Sequence, residues 1–363
     1  MTALERTATR FTIDRNTSSR DITGLAALNP QLSGRQPFVR ITKVYSGTTP
    51  VDLLPQGAEI YRCVVTDGTT NLVAKLPQAT ILITRFTTVS IVEVSAGTMD
   101  HAEELVAAIR KRAPQAPADT VLVRIWHDRR GLPPNSTDRS IEAPHWDDIA
   151  KNYPDRTRRA LHELTTLQGP GGPGRLILWH GPAGTGKTTA IRSLIRAWSG
   201  WCQPQYISDP EALFNNPEYL SAVLTHPADL RAPGPATSDP DQAWRLLIAE
   251  DSDEYLRATA RRDAGAALGR LLNLADGILG QGMKVLILLT TNEEIGRLHP
   301  ALIRPGRCLA SIEFPALQPA EASQWLGTPV TEPMTLAELL EHRGDFGRIG
   351  INNQMETTPG QYL

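Results

Sequence analysis

Residues 181–189 read Gly-Pro-Ala-Gly-Thr-Gly-Lys-Thr-Thr, a complete G-x-x-x-x-G-K-[ST] pattern. The apolar run at 175–180 before it predicts a buried strand, and the apolar residues at 191, 194, 195 and 198 after it have helical spacing. A strand, a glycine-rich loop and a helix in this order are the context in which the pattern forms a phosphate-binding loop.

The residue types in this loop suit a triphosphate bound with a metal ion. Glycines at 181, 184 and 186 let backbone N–H groups approach a phosphate, and the positive end of the following helix dipole adds to that attraction. A lysine reaches the terminal phosphates, and a hydroxyl oxygen suits Mg²⁺. We therefore predict nucleotide contacts from Gly181, Pro182, Ala183, Gly184, Thr185, Gly186, Lys187, Thr188 and Thr189, with Thr188 also a Mg²⁺ ligand.

A second acidic site follows the apolar run 246–249, which predicts another buried strand and continues as Glu-Asp-Ser-Asp-Glu at 250–254. Hydrolysis of Mg·ATP needs one carboxylate near the metal and another that polarises the attacking water. Counting from the end of the run assigns Glu250 to the metal and Asp251 to the water. A slip by one residue assigns Asp251 to the metal, and a pair at 253–254 would lack a preceding strand. These acidic residues also suit the start of a helix.

Composition limits the other functional classes. The net charge of −2, from 37 basic and 39 acidic residues, makes nucleic acid an unlikely partner. The three cysteines, Cys63, Cys202 and Cys308, have no paired spacing, which indicates a reducing compartment. Neither a secretory leader nor a membrane-spanning run is visible, so a cytoplasmic protein without a membrane span is expected.

The chain divides into six parts by composition and periodicity. We predict a flexible arm at 1–35, an α+β domain at 36–126, a Pro/Gly-containing linker at 127–143, a nucleotide-binding core at 144–315, a short helical lid at 316–350 and a polar tail at 351–363. In the N-terminal domain, strands are expected at 38–45, 59–66, 80–86, 90–94 and 120–126, with a helix opening near Asp100.

The motifs together resemble the AAA branch of the P-loop ATPases over about residues 144–345. The resemblance implies an α/β fold, in which a three-layer core with a parallel sheet carries a short C-terminal helical lid and a separate N-terminal α+β domain. The reversed Glu-Asp order and the Leu-Leu-Asn…Asp-Gly segment at 271–277 are most similar to the mitochondrial Rieske-protein translocase branch, although the membrane anchor of that branch is not expected here.

The resemblance also assigns roles outside the loop. Asn292, after the apolar run 285–291, matches the polar sensor residue that contacts the γ-phosphate or the water. Arg304 and Arg307 match arginines that reach a neighbouring subunit's ATP, which implies a ring-shaped homo-oligomer, with a hexamer as one option. The segment 145–149 resembles the one that lines the adenine pocket, so Ile149 is expected beside the base; a plain helix start is the alternative.

The leading hypothesis is therefore Mg-dependent ATP hydrolysis that remodels a protein partner, with the N-terminal domain choosing that substrate or adaptor. A slow ATP-dependent switch or scaffold is the first alternative, because the expected base is one carbon shorter than glutamate and no glycine follows Phe214 or Tyr219 in the region where a pore loop would lie. A DNA-remodelling ATPase is the second, on the basic runs at 110–112 and 156–159. Arg348 is a further candidate nucleotide contact.

Overall fold

The computed structural model describes residues 30–31, 33–66, 69–86, 89–114, 117, 119–129, 134–225, 244–257, 268–272, 284–300, 302, 304 and 306–344. Most of the predicted arm, the whole tail and Arg348 lie outside these residues, and the expectations for them stay predictions.

The N-terminal domain is an antiparallel sheet with one helix on it. Its strands are β1 (Phe38–Tyr45), β2 (Glu59–Thr66), β3 (Thr69–Leu76), β4 (Ala79–Arg85) and β5 (Val89–Ala96), in the order β1-β5-β4-β3-β2. Helix α1 (Met99–Arg112) packs against β1 and β5. Its N-cap is Thr98, whose side chain accepts from the backbone N–H of His101, rather than the predicted Asp100. The prediction also missed β3.

The second sheet forms the core of the chain. Its strands are β6 (Thr120–His127), β7 (Asn135–Glu142), β8 (Leu176–His180), β9 (Cys202–Ile207), β10 (Trp244–Ala249), β11 (Val285–Thr291) and β12 (Cys308–Glu313). Their order is β12-β8-β11-β10-β9-β6-β7, and every pair is parallel except β6 with β7.

This sheet corrects two predicted boundaries. The strand at 120–126, predicted in the N-terminal domain, is β6 and pairs with β9 of the core. The predicted linker 127–143 contains β7, which pairs with β6 along its whole length. The sequence of β7, Asn-Ser-Thr-Asp-Arg-Ser-Ile-Glu, is polar because it is the edge strand, so it carries no hydrophobic pattern to predict it.

Helices cover both faces of the core sheet. On one face lie α3 (Asp155–Thr165) and α4 (Lys187–Ala197), and on the other α5 (Pro210–Asn215) and α6 (Pro217–Thr225). Alternate residues of β8 point to opposite faces: Leu176 and Leu178 join one buried cluster, Ile177 and Trp179 the other. The three-layer α/β core predicted from the sequence is therefore confirmed, as is the separate N-terminal domain.

Four further helices lie in the described part. Helix α2 (Trp146–Ile149) precedes α3, and α7 (Asp253–Leu256) follows β10. The lid contains α8 (Pro319–Leu326) and α9 (Leu336–Arg343), which share a small core around Leu317, Ala322 and Leu339. Only α9 was predicted, from its leucines. The lid contacts the core directly, because the backbone N–H of Ala337 donates to the carbonyl of Gly184 at 2.9 Å.

Candidate functional site

Most of the predicted site residues lie together at the carboxyl ends of three neighbouring strands of the core sheet. Strands β8, β11 and β10 are neighbours and parallel, so the loops that follow them lie side by side. The glycine-rich loop follows β8, Asn292 follows β11, and Glu250 follows β10. Three sequence motifs that are far apart along the chain therefore meet in space.

The glycine-rich loop adopts a backbone that only glycine tolerates well. Gly181, Gly184 and Gly186 have φ values of 136°, 79° and 89°. A Cβ atom on Gly181 would lie 2.3 Å from the carbonyl oxygen of Phe314, so the start of the loop packs directly against the end of β12. The hydroxyl of Thr185 donates to the carbonyl of Pro182 at 2.9 Å and closes the turn.

Lys187 is the first residue of α4 and is only 8 % exposed. Its ammonium group donates to the carbonyls of Gly181 (2.7 Å) and Pro182 (3.0 Å) and to Oδ1 of Asn292 (2.9 Å). These bonds use all three of its donors. Burial lowers the pKa of Lys187, and nearby carboxylates oppose this shift.

Thr188 and Glu250 form the contact expected of a metal site. The Thr188 hydroxyl donates to Oε2 of Glu250 at 2.5 Å, although 62 residues separate them in sequence. Burial raises the pKa of Glu250, and the hydrogen bond from Thr188 acts in the opposite direction. A hydroxyl oxygen and a carboxylate oxygen held together are hard ligands of the type that Mg²⁺ prefers.

Asp251 has an unusual backbone conformation beside this contact. Its φ is 52°, in the left-handed region, which aspartate and asparagine enter more readily than most residues. Its backbone N–H donates to the hydroxyl of Thr290 at 3.0 Å, which fixes the turn against β11. Its exposed carboxylate lies 3.4 Å from the amide nitrogen of Asn292.

Asp253 makes contacts that the sequence did not predict, because there it was considered only as part of the less favoured pair at 253–254 or as a helix start. Its Oδ1 accepts from the Thr291 hydroxyl at 2.5 Å and from the backbone N–H of Asn292 at 2.7 Å. The only signal for a role in the site is that Asp253 lies two residues after Asp251. An acidic residue at this position is equally typical of the start of a helix.

Arg304 and Arg307 are not part of this cluster. The carbonyl of Arg307 accepts from the N–H groups of Arg175 and Leu176, at the amino end of β8. The glycine-rich loop begins five residues later, at the carboxyl end, which is about 16 Å away at a strand rise of about 3.3 Å per residue. The backbone of Arg307 therefore lies at the end of β8 opposite its own phosphate-binding loop.

The segment predicted beside the base packs mainly into the core. Ile149 is 7 % exposed and belongs to the same buried cluster as Ala190 and Ile191 of α4, whereas Asp148 is exposed. The contact with the loop comes instead from Tyr153, whose hydroxyl donates to the carbonyl of Gly186 at 3.0 Å. Tyr153 had no recognisable signal in the sequence. The role of Ile149 beside a base stays a prediction.

The described residues contain neither a membrane-spanning helix nor a cluster of metal ligands. Among them, no helix is long and apolar enough to cross a membrane. Within the same ranges, no group of three or more histidine, cysteine or acidic side chains could hold a metal ion. A Mg²⁺ ion held by one hydroxyl, one carboxylate and the phosphates of a nucleotide does not need such a group.

Two protein families match parts of this chain. Residues 177–316 match the family described as "ATPase family associated with various cellular activities (AAA)". Residues 2–166 match a family described as "Domain of unknown function (DUF5925)". The second match covers the N-terminal domain, the β6–β7 hairpin and the whole of α3, so its boundary does not follow the division between the two sheets.

One curated relative and one solved structure extend this comparison. The chain is 28 % identical over 174 residues to "26S proteasome regulatory subunit 6B homolog" of Aspergillus niger. This match covers 46 % of the chain and 38 % of the relative, so the chain spans about two fifths of that protein. A chain of the "Structure of E. coli MS115-1 HORMA:CdnC:Trip13 complex" aligns at 17 % identity and a TM-score of 0.31, covering 50 % of this chain and 59 % of that one.

Proposed function

We propose that this chain, whose residues 177–316 match the AAA family of ATPases, binds ATP with Mg²⁺ and hydrolyses it to remodel a protein partner. The observation that carries the proposal is the contact of Thr188 with Glu250 beside the glycine-rich loop. This contact joins the predicted metal ligand of the glycine-rich loop to the carboxylate that follows β10, and hydrolysis of Mg·ATP requires such a pair.

Binding uses the loop and Lys187. Backbone N–H groups at the positive end of α4 attract the phosphates, and the glycines allow their close approach. Because Lys187 uses all its donors within the protein, it must exchange at least one of these bonds to contact a phosphate. The bond to Asn292 is one of the three, so phosphate binding and the position of Asn292 are linked.

Thr188 and Glu250 would hold Mg²⁺, since their oxygens already lie together. Mg²⁺ held there would supply positive charge that neutralises the charge developing on the phosphate oxygens. Asp251 then takes the role of the base: its carboxylate accepts a proton from the attacking water, with Asn292 placed to orient that water. The products are ADP and inorganic phosphate.

The test of this proposal is phosphate release from ATP by the purified full chain, with Mg²⁺ and with excess EDTA. We expect saturable release that stops when EDTA removes the metal. Release that continues unchanged in EDTA would exclude the Thr188–Glu250 site as a Mg²⁺ site, and no release under either condition would exclude hydrolysis.

We further propose that the site is shared between subunits of a ring. The backbone of Arg307 lies about 16 Å along β8 from its own loop, which is beyond the reach of an arginine side chain. Arg304 lies beside it, since its carbonyl accepts from the backbone N–H of Arg307. A guanidinium group stabilises charge on the γ-phosphoryl oxygens, so arginines here would serve the loop of a neighbouring copy.

For Arg307→Ala we expect ATP to bind normally while turnover falls by about a thousandfold, the scale seen for arginines that act in trans. Mixing this variant with Lys187→Ala protein should restore part of the activity, because some interfaces then combine an intact loop with an intact arginine. Steady-state phosphate release of each protein and of the mixture measures this. Full activity of Arg307→Ala alone would contradict the sharing.

The N-terminal domain is the proposed contact for the protein partner. It is joined to the core sheet by ion pairs of Asp138 in β7. Oδ2 of Asp138 lies 2.7 Å from Nζ of Lys43 in β1, and Oδ1 lies 2.9 Å from Nε of Arg124 in β6. The side chain of Lys43 is only 4 % exposed, so this link is shielded from solvent. A movement of the core sheet would therefore be transmitted to β1.

A slow switch is the second candidate function. Slow turnover is favoured by Asp251, because its side chain is one carbon shorter than that of a glutamate base. It is also favoured by the hydrogen bonds of Lys187 within the protein, because ATP must displace at least one of them. Such a protein would bind ATP and change shape with little turnover. The rate of the unmodified chain separates the two functions.

A further inference from the structure

Asp253 contacts both the backbone and the side chain of Asn292, the predicted sensor residue of the site. It is the first residue of α7, yet its carboxylate faces the end of β11. One oxygen, Oδ1, accepts from both the hydroxyl of Thr291 and the backbone N–H of Asn292, at 2.5 and 2.7 Å. These are short, charge-assisted bonds, which are stronger than bonds between neutral groups.

The same carboxylate also faces the side chain of Asn292. The amide nitrogen of Asn292 lies 3.3 Å from Oδ2 of Asp253 and 3.4 Å from Oδ1 of Asp251. Its amide oxygen accepts from Lys187 at 2.9 Å. An NH₂ group donates and a carbonyl oxygen accepts, so the two carboxylates and the ammonium group together allow only one orientation of this amide.

Capping of α7 does not account for this geometry. The helix is four residues long and its N-cap, Ser252, uses its hydroxyl to donate to the carbonyl of Ala249. The carboxylate of Asp253 bonds across to another strand, 38 and 39 residues away in sequence. Glu254, next to it in the first turn of the same helix, is exposed.

We propose that Asp253 is a positioning residue that holds Asn292 between Lys187 and Asp251, so that the sensor amide is aligned when ATP is hydrolysed. This inference rests on the proposed ATPase function. Asp253 acts through Asn292 and not on the substrate itself. Alignment of this kind affects the chemical step more than it affects binding.

The test compares Asp253→Asn with Glu254→Gln in the full chain. Both changes remove one negative charge from the first turn of α7, but only Asp253→Asn places an NH₂ group opposite the NH₂ group of Asn292. We expect kcat of Asp253→Asn to fall about ten- to a hundredfold, as small misplacements do, with KM for ATP within about twofold of the unmodified value. Glu254→Gln should keep both constants, and both variants should remain folded at the assay temperature.

A second measurement does not depend on turnover. Asp253→Ala removes the acceptor of the Asn292 backbone N–H, so hydrogen exchange of a peptide covering 291–293 should become faster, whereas Glu254→Gln should leave it unchanged. Unchanged exchange, or an unchanged kcat in Asp253→Asn, would overturn the positioning role. Absence of turnover in the unmodified chain would instead overturn the proposed function, and the exchange result would still decide on Asp253.

Discussion

Lys187→Ala is expected to reduce ATP turnover by at least about a hundredfold, the cost of removing one preorganised group that stabilises the transition-state charge. The ammonium group is buried, is bonded to Asn292 and is the group placed to reach the terminal phosphates. The variant also loses the two bonds that join this side chain to the carbonyls of Gly181 and Pro182, so the loop itself should bind ATP less tightly.

Two further variants separate these effects. Lys187→Met keeps most of the apolar stem and removes the charge, so it should lose turnover as fully as Lys187→Ala while it unfolds at a temperature closer to that of the unmodified chain. Lys111→Ala removes an exposed lysine from α1 and should change nothing. Phosphate release and binding of a fluorescent ATP analogue measure both properties, and turnover in Lys187→Met at the unmodified rate would contradict the assignment.

Asp251→Asn is expected to bind ATP and to hydrolyse it at least about a hundredfold more slowly, because an amide cannot accept the proton that a general base takes. This substitution suits the backbone well. Asp251 has a φ of 52°, and asparagine tolerates the left-handed region about as well as aspartate does. The fold around Thr290 should therefore be preserved, and the loss should be confined to the chemical step.

A control for this variant removes a carboxylate elsewhere. Asp119→Asn changes an exposed residue just before β6 and should leave turnover intact. Single-turnover measurements with ATP in the presence of Mg²⁺ isolate the chemical step from binding and product release. If Asp251→Asn hydrolyses ATP at the unmodified rate, the assignment of the water-activating role to Asp251 is wrong.

The sequence predicted those parts of the site that are continuous along the chain. The loop, β8 and α4 follow one another, so their residue types and spacing were sufficient. The two strands that carry Glu250 and Asn292 are buried on both faces and therefore appear as unbroken apolar runs. Their placement beside the loop followed from the parallel arrangement that such strands adopt.

What the sequence did not predict depends on contacts between distant segments. The bonds of Asp253 to Asn292 and of Tyr153 to Gly186 join residues that are 39 and 33 positions apart, and neither has a local pattern. Strand β7 was missed for a different reason: it is a polar edge strand whose stability comes from pairing with β6 and from the contact of Arg124 with Asp138. Helix α8 is short and begins at a proline.

The most direct test of the account is the steady-state rate of phosphate release by the unmodified full chain at saturating ATP and Mg²⁺. The arrangement of Thr188, Glu250, Asp251 and Asn292 predicts a hydrolase with a turnover number above about 0.01 per second. This threshold lies between the values of about 1–100 per second for kinases and about 10⁻⁴ per second for intrinsic switch GTPases. Saturable ATP binding with a turnover near about 10⁻⁴ per second would contradict it and would identify the protein as a nucleotide-dependent switch.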